Sequence, residues 1–214
     1  MKHYQNLESA LLKYRESDFA AWQKAYMRHK FCFFGVRQPI RKKIQRPFLQ
    51  EATKEDISIL WKKKEREYQY IAIDLLIRSS LEETDLELLE WLITTKSWWD
   101  SVDVLATNIA GRFFLQFPNL LDETLRWSTH ENMWLRRSSL IFQLRYKRKT
   151  DEKRLFSYCL ALSKEKDLFI QRAIGWALRE YSKTAPTQVK KMLTKEAFPP
   201  LVIREALQYI NRPL

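Results

Sequence analysis

Five short segments of the chain can be laid beneath one another at an almost constant step. They are Tyr70-Ile71-Ala72-Ile73, Val102-Asp103-Val104-Leu105, Arg137-Ser138-Ser139-Leu140, Arg172-Ala173-Ile174-Gly175 and Arg204-Glu205-Ala206-Leu207, and their first positions advance by 32, 35, 35 and 32. Three positions ahead of Val102, Arg137 and Arg172 stand Trp99, Trp134 and Phe169, so an aromatic residue recurs in register. A period of this size is the mark of a stack of supersecondary units, none of which buries its apolar face alone. Composition decides the kind of unit. Only three glycines occur, Gly35, Gly111 and Gly175, too few for a glycine-rich phosphate loop or for the turns of a β-sandwich.

Helices joined by short loops remain, and the expected fold is all-α: a right-handed solenoid of HEAT-like antiparallel helix pairs whose second helices line a concave basic groove. Residues 1–214 are expected to form a single domain, with 1–50 as an N-terminal helical layer and 51–214 as the repeats. In the first layer, Leu7, Leu11 and Tyr14, then Phe19, Trp22 and Tyr26, recur at three and four. This predicts a helical hairpin broken at Ser17-Asp18, which can serve as an N-cap. Pro39 is placed to open a helix at its first turn, and Pro118, Pro186 and Pro199-Pro200 fall in connections or first turns, where proline is tolerated.

The formal charge is +12, a field that attracts polyanions. Between Phe19 and Gln50 there is no acidic residue, while Lys24, Arg28, Lys30, Arg37, Arg41, Lys42, Lys43 and Arg46 all fall there. Leu81 to Trp91 holds Glu82, Glu83, Asp85, Glu87 and Glu90 and no base, as suits an outer helix facing water. Met133 to Thr150 is the reverse, with Arg136, Arg137, Arg145, Lys147, Arg148 and Lys149 and no acid. A charge run is often a solvated face, but one-sign runs of this length favour phosphate contact. No apolar run approaches the ~20 residues that span a bilayer, and Lys2, Glu8, Lys13 and Arg15 interrupt any secretory h-region. A monomer of the cytoplasm, associated with the nucleoid and not with membrane, is expected. Cys32 and Cys159 lack C-x-x-C spacing and read as buried reduced thiols.

The candidate site lies between Lys96 and Arg112. Helical spacing sets Trp99 and Asp103 at i and i+4, so an indole and a carboxylate share one helix face. A plainer reading stays open: Ser97 and Asp100 form a box-like cap, the tryptophans are core and Asp103 is solvated. Trp176 and Arg179, at i and i+3, share a face of the last full inner helix, although Trp176 also fits core packing. His3, His29 and His130 are scattered and no metal-binding spacing is present, so neither metal nor cofactor is expected.

Four stretches carry a family resemblance. Tyr26-Met27 with Phe34-Gly35, Lys96-Ser97-Trp98-Trp99-Asp100-Ser101-Val102-Asp103, Trp134-Leu135-Arg136-Arg137 with Phe142-Gln143-Leu144, and Ile170 through Tyr181 resemble the AlkD family of bacterial alkylpurine DNA glycosylases over nearly the whole chain. The resemblance implies that Asp103 is the catalytic carboxylate, that Trp99 and Trp176 flank the lesion's deoxyribose, and that Arg137 and Arg179 contact phosphate. It also implies that Tyr26 is a further DNA-facing aromatic. Arg41 and Arg145, from the basic runs, complete the expected DNA contacts. The substrate implied is duplex DNA bearing 3-methyladenine or 7-methylguanine, whose positive charge already weakens the glycosidic bond. A non-catalytic HEAT-like scaffold for DNA or RNA is the alternative, sharing the groove without a role for the carboxylate.

Overall fold

Apolar residues recurring at three and four are realised as helices along the whole chain. The computed structural model describes the backbone of residues 2–211 and the side chains of residues 4–211, so the side chain of His3 lies outside them. Among the described residues the one extended pairing is a single bridge between Cys32 and Glu65. The chain divides into two units, Met1–Ser80 and Leu81–Leu214.

The first unit contains α1 (Lys2–Lys13), α2 (Ser17–Tyr26), α3 (Gln38–Glu51), α4 (Asp56–Lys62) and α5 (Arg66–Arg78). Pro39 stands in the first turn of α3 as the sequence requires. The break before α2 is where it was expected, but its capping chemistry is not. Glu16 occupies the N-cap with no side-chain bond to the helix, because Ser17 and Asp18 already belong to the first turn. Helix α1 packs on α3, α4 on α5 and α3 on α5. A buried carboxylate organises the loop before α3: Glu67 accepts the backbone N–H groups of Phe34, Gly35 and Val36 at 3.1, 2.9 and 3.2 Å. Gly35 turns there at φ +84°, and a Cβ would lie 2.1 Å from the Glu16 carbonyl oxygen, so no other residue fits. Burial pushes the Glu67 carboxyl above the ordinary carboxylate range, opposed by those three N–H donors. Cys32 is half-buried, not fully buried as expected, whereas Cys159 is wholly buried and its thiol is pushed upward.

The second unit continues with α6 (Asp85–Thr94), α7 (Trp99–Val104), a π-helical stretch at Leu105–Ala110, α8 (Gly111–Gln116), α9 (Glu123–Ser128), α10 (Met133–Ile141), α11 (Glu152–Ala161), α12 (Leu168–Tyr181), α13 (Pro186–Lys195) and α14 (Pro200–Leu207). The five repeat segments begin in α5, α7, α10, α12 and α14, each the second helix of a pair, with Leu105 of the second segment already in the π-helical stretch, so the periodicity is borne out. Successive second helices pack on one another, α7 on α10, α10 on α12 and α12 on α14. The last contact is close because Gly175 has no side chain: a Cβ there would stand 2.5 Å from the Cβ of Glu205.

Ion pairs follow the repeat. Arg126 meets Glu90, Arg137 meets Asp103 and Arg154 meets Asp122, in each case about one repeat away along the chain, and Arg179 meets Glu205 on the next second helix. Two acids of the expected water-facing helix are therefore used internally. Glu90 also accepts the indole N–H of the fully buried Trp127 at 2.6 Å, and Asp85 is buried, accepting the backbone N–H of Glu82 at 2.8 Å. The basic run Arg145–Lys149 likewise departs from expectation. Helix α10 ends at Ile141, and the run lies on two 3-10 turns, Phe142–Arg145 and Lys147–Lys149, with Lys147 at φ +53°. No helix among the described residues is long and apolar enough to cross a membrane.

Candidate active site

Helix α7 begins from an aromatic anchor. Trp98, extended at φ −160° and ψ 160°, holds the N-cap position and is buried. Its ring meets Trp134 edge-on at 5.7 Å and Phe169 at 5.2 Å, and those two lie 5.3 Å apart. The aromatic that joins the repeat register in space is thus Trp98, one residue before the Trp99 of the linear register. Trp98 is extended at the N-cap, whereas Trp134 and Phe169 already stand inside helices α10 and α12. Trp99, the first residue of α7, is half-buried. The capping box is also set aside, since the Ser97 hydroxyl donates to the Ile93 carbonyl at 2.6 Å and so closes α6.

One turn beyond Trp99, the Asp103 carboxylate is gripped at both oxygens. Arg137 Nε donates to Oδ1 at 2.7 Å and Arg137 Nη2 to Oδ2 at 2.8 Å. The remaining terminal nitrogen of Arg137 donates to the Phe169 carbonyl. This fork-on-fork geometry fixes both the position and the plane of the carboxylate. The guanidinium side is buried at 6% exposure, while the Asp103 side chain keeps 19%. Arg137, expected to face phosphate, therefore directs its donors inward. Arg41 does the same in the first unit, donating to Asp74 at 2.8 Å and to Gln45 at 2.8 Å, and its guanidinium lies over the Tyr70 ring.

After Asp103 the helix widens. The backbone N–H of Gly111 reaches the carbonyl of Ala106, five residues back, and the Thr107 hydroxyl donates to the Asp103 carbonyl at 2.7 Å. Such π-helical stretches insert a residue into an α-helix and re-aim the side chains of the turn beyond. Gly111 is required at its end, because a Cβ would sit 2.5 Å from the Phe142 carbonyl oxygen, and Tyr146 donates its hydroxyl to the Gly111 carbonyl at 2.7 Å.

These elements wall an open cleft of about 360 Å³, lined by Asp103, Val104, Thr107, Asn108, Leu144, Arg145, Trp176 and Glu180. Asp103, Arg145 and Trp176, predicted separately, are brought together here. Trp176 is half-buried on α12, so the indole is not core filler. Arg145 is exposed on its 3-10 turn, and no hydrogen bond or ion pair from the described residues engages it. Arg179 is part-buried, donating to Glu205 at 3.1 Å and to Gln208. Tyr26 and Arg41 belong to the first unit. Sequence reasoning missed Asn108 and Glu180. The latter was within reach of the rule that linked Trp99 to Asp103, since Glu180 lies four residues after Trp176. Lys183 holds it at 2.5 Å. His130 accepts the Asn132 backbone N–H at 2.9 Å, and among the described residues no three metal-ligating side chains converge.

A carboxylate in fixed orientation, an indole, an amide and a free guanidinium in one open cleft suit an anionic polymer that develops positive charge at one atom. Comparison with known proteins bears on which polymer. The sequence model of the family described as "DNA alkylation repair enzyme" matches residues 7–210. Among solved structures, the chain is similar to a predicted DNA alkylation repair enzyme from Enterococcus faecalis. The two share 34% identity with a TM-score of 0.84, over 93% of this chain and 98% of that one. No curated protein matches.

Proposed function

From the premise that the chain belongs to the DNA alkylation repair enzyme family, we propose that it is a DNA glycosylase. It hydrolyses the N-glycosidic bond of cationic alkylated purines in duplex DNA. The observation that carries the reading is the two-point hold of Arg137 on Asp103 at the wall of a cleft shared with Trp176. A carboxylate held this way is of use to chemistry only if its placement matters.

A 3-methyladenine or 7-methylguanine base carries a positive charge, so it leaves as a neutral molecule once the C1′–N bond breaks and its electron pair passes to the base. Positive charge then develops on the deoxyribose. Asp103 faces that charge: at about 4 Å and an effective dielectric near 20, a carboxylate contributes roughly 4 kcal/mol, about a thousandfold in rate. Arg137 offsets part of this and in exchange removes the motion of the carboxylate. Trp176 flanks the sugar from α12 and Trp99 from α7, each adding about 0.5 to 2 kcal/mol of cation–π attraction. Water attacks C1′, Asp103 orients it, and its proton passes to Asp103 and on to solvent. The products are the neutral base, an abasic site and one proton. No general acid is called on, because the leaving group already bears the charge that an acid would supply. Arg145 and Arg179 contact the flanking phosphates of a duplex bound by a monomer.

The test is chromatographic detection of free methylated base after incubating the purified protein with methylated duplex DNA. Release of 3-methyladenine or 7-methylguanine supports the reading. Duplex binding without release would make the protein a scaffold and refute it.

A further inference from the structure

The π-helical stretch after Asp103 changes which side chain stands near that carboxylate. In an α-helix the residue five places after Asp103 would point about 140° away from it, and the fourth, Thr107, would lie above it. Closure over five residues, as in the bond from Gly111 N–H to the Ala106 carbonyl, gives the turn one residue more and swings Asn108 back toward the Asp103 side. Both residues accordingly line the same cleft. Asn108 is the one residue of Leu105–Ala110 that is not buried, so the stretch turns its carboxamide, and little else, to the open side.

Most hydrogen-bonding groups of the cleft are already committed. Thr107 donates its hydroxyl to the Asp103 carbonyl at 2.7 Å, Lys183 holds Glu180 at 2.5 Å, and Arg137 takes one acceptor position on each Asp103 carboxylate oxygen. The Asn108 carboxamide is engaged by none of the described residues. It is also the one uncommitted side chain lining the cleft that can both donate and accept, since the Arg145 guanidinium and the Trp176 indole only donate. The two oxygens of a carboxylate offer about four acceptor positions, so Asp103 keeps roughly two for a water molecule. A water that donates to Asp103 alone still turns about that bond. A second acceptor for its other O–H fixes both protons and aims its lone pair in one direction, which is what a nucleophile needs.

Resting on the glycosylase reading, we propose that the Asn108 carboxamide oxygen is the second acceptor for the attacking water, which gives one O–H to Asp103 and the other to Asn108. The O–C1′ bond forms as the C1′–N bond breaks, the electron pair of the broken bond neutralises the base, and the proton leaves by way of Asp103. Asn108 accepts a hydrogen bond and takes no proton. Methanol is the probe, because it carries a methyl group where water carries its second proton. Single-turnover release of 7-methylguanine from duplex DNA is run in buffer with added methanol, and mass spectrometry divides the sugar product into abasic site and methyl glycoside. The wild type should favour water. Asn108→Ala should slow release roughly three- to tenfold, the loss of one neutral hydrogen bond, and should raise the ratio of methyl glycoside to abasic site by a similar factor. Asn108→Asp keeps an acceptor of the same size and should keep the wild-type ratio. The ratio does not depend on how much of the protein is folded, so a merely structural loss would lower both products together. An unchanged ratio in Asn108→Ala, or a ratio in Asn108→Asp equal to that of Asn108→Ala, would overturn the assignment and leave the glycosylase reading standing. No base release from the wild type would overturn both.

Discussion

If Arg137 acts by holding Asp103, removing it should cost catalysis only when there is a carboxylate to hold. Arg137→Met keeps the apolar stem and removes the donors at 2.7 and 2.8 Å together with the bond to Phe169. A freed Asp103 side chain samples other rotamers, and a misplacement of about 1 Å costs on the order of a hundredfold in rate, or about 2.7 kcal/mol. Asp103→Asn should cost about a thousandfold by the electrostatic argument. The two effects share one mechanism, so the double variant should be no slower than Asp103→Asn alone. The assay is single-turnover release of 7-methylguanine from duplex DNA with excess protein, run as a double-mutant cycle. An independent phosphate contact, the role the sequence motif implies, would make the losses multiply to about a hundred thousandfold. Multiplicative losses would refute the positioning role.

Arg145, exposed at the cleft and engaged by none of the described residues, is placed to neutralise a phosphate. Arg145→Ala should flatten the log–log salt dependence of duplex binding by roughly one unit, and an unchanged slope would remove it from the interface. Gly175→Ala drives a Cβ to 2.5 Å from that of Glu205 and should destabilise by about 1 to 3 kcal/mol, lowering the unfolding temperature by roughly 2 to 4 °C per kcal/mol. A melting curve that superimposes on the wild type would contradict this helix contact. Glu67 has a raised carboxyl pKa in the folded chain, so the folded state holds the proton more tightly than the unfolded one. Its contribution is therefore fully present below the unfolded value of about 4.3 and lost as pH rises through the folded value. Urea unfolding at pH 5 and pH 8 should show the wild type losing stability relative to Glu67→Gln as pH rises, and a gap moving the other way would reverse the assignment.

The helical pairing was legible because period and glycine scarcity act over the whole chain. Asp103 and Trp176 were legible as side chains on helix faces. Their neighbourhood was less so, for three physical reasons. The ring that meets Trp134 and Phe169 is that of the extended Trp98 and not of its neighbour Trp99, and a local change of backbone conformation leaves no trace in hydrophobic spacing. The π-helical stretch at Leu105–Ala110 is built from ordinary helix formers, and only Gly111, pressed against Phe142, marks where it ends. Arg41 and Arg137 stand in acid-free runs, but their partners Asp74 and Asp103 lie 33 and 34 residues away. Local charge patterning sees i+3 and i+4 and cannot see one repeat, so two cations counted toward DNA are in fact neutralised by carboxylates.

The central claim is that an ionised Asp103 stabilises a sugar cation as a charged base departs. It is tested most directly by single-turnover incubation of matched duplexes carrying 7-methylguanine, hypoxanthine or uracil with wild type and Asp103→Asn. The account predicts release of 7-methylguanine alone, and a fall of about a thousandfold on substitution while duplex affinity stays within a fewfold. Comparable release of the neutral bases would mean that an acid protonates the leaving group, with Glu180 in the same cleft as the group to test next, and an undiminished rate in Asp103→Asn would contradict the carboxylate's role outright.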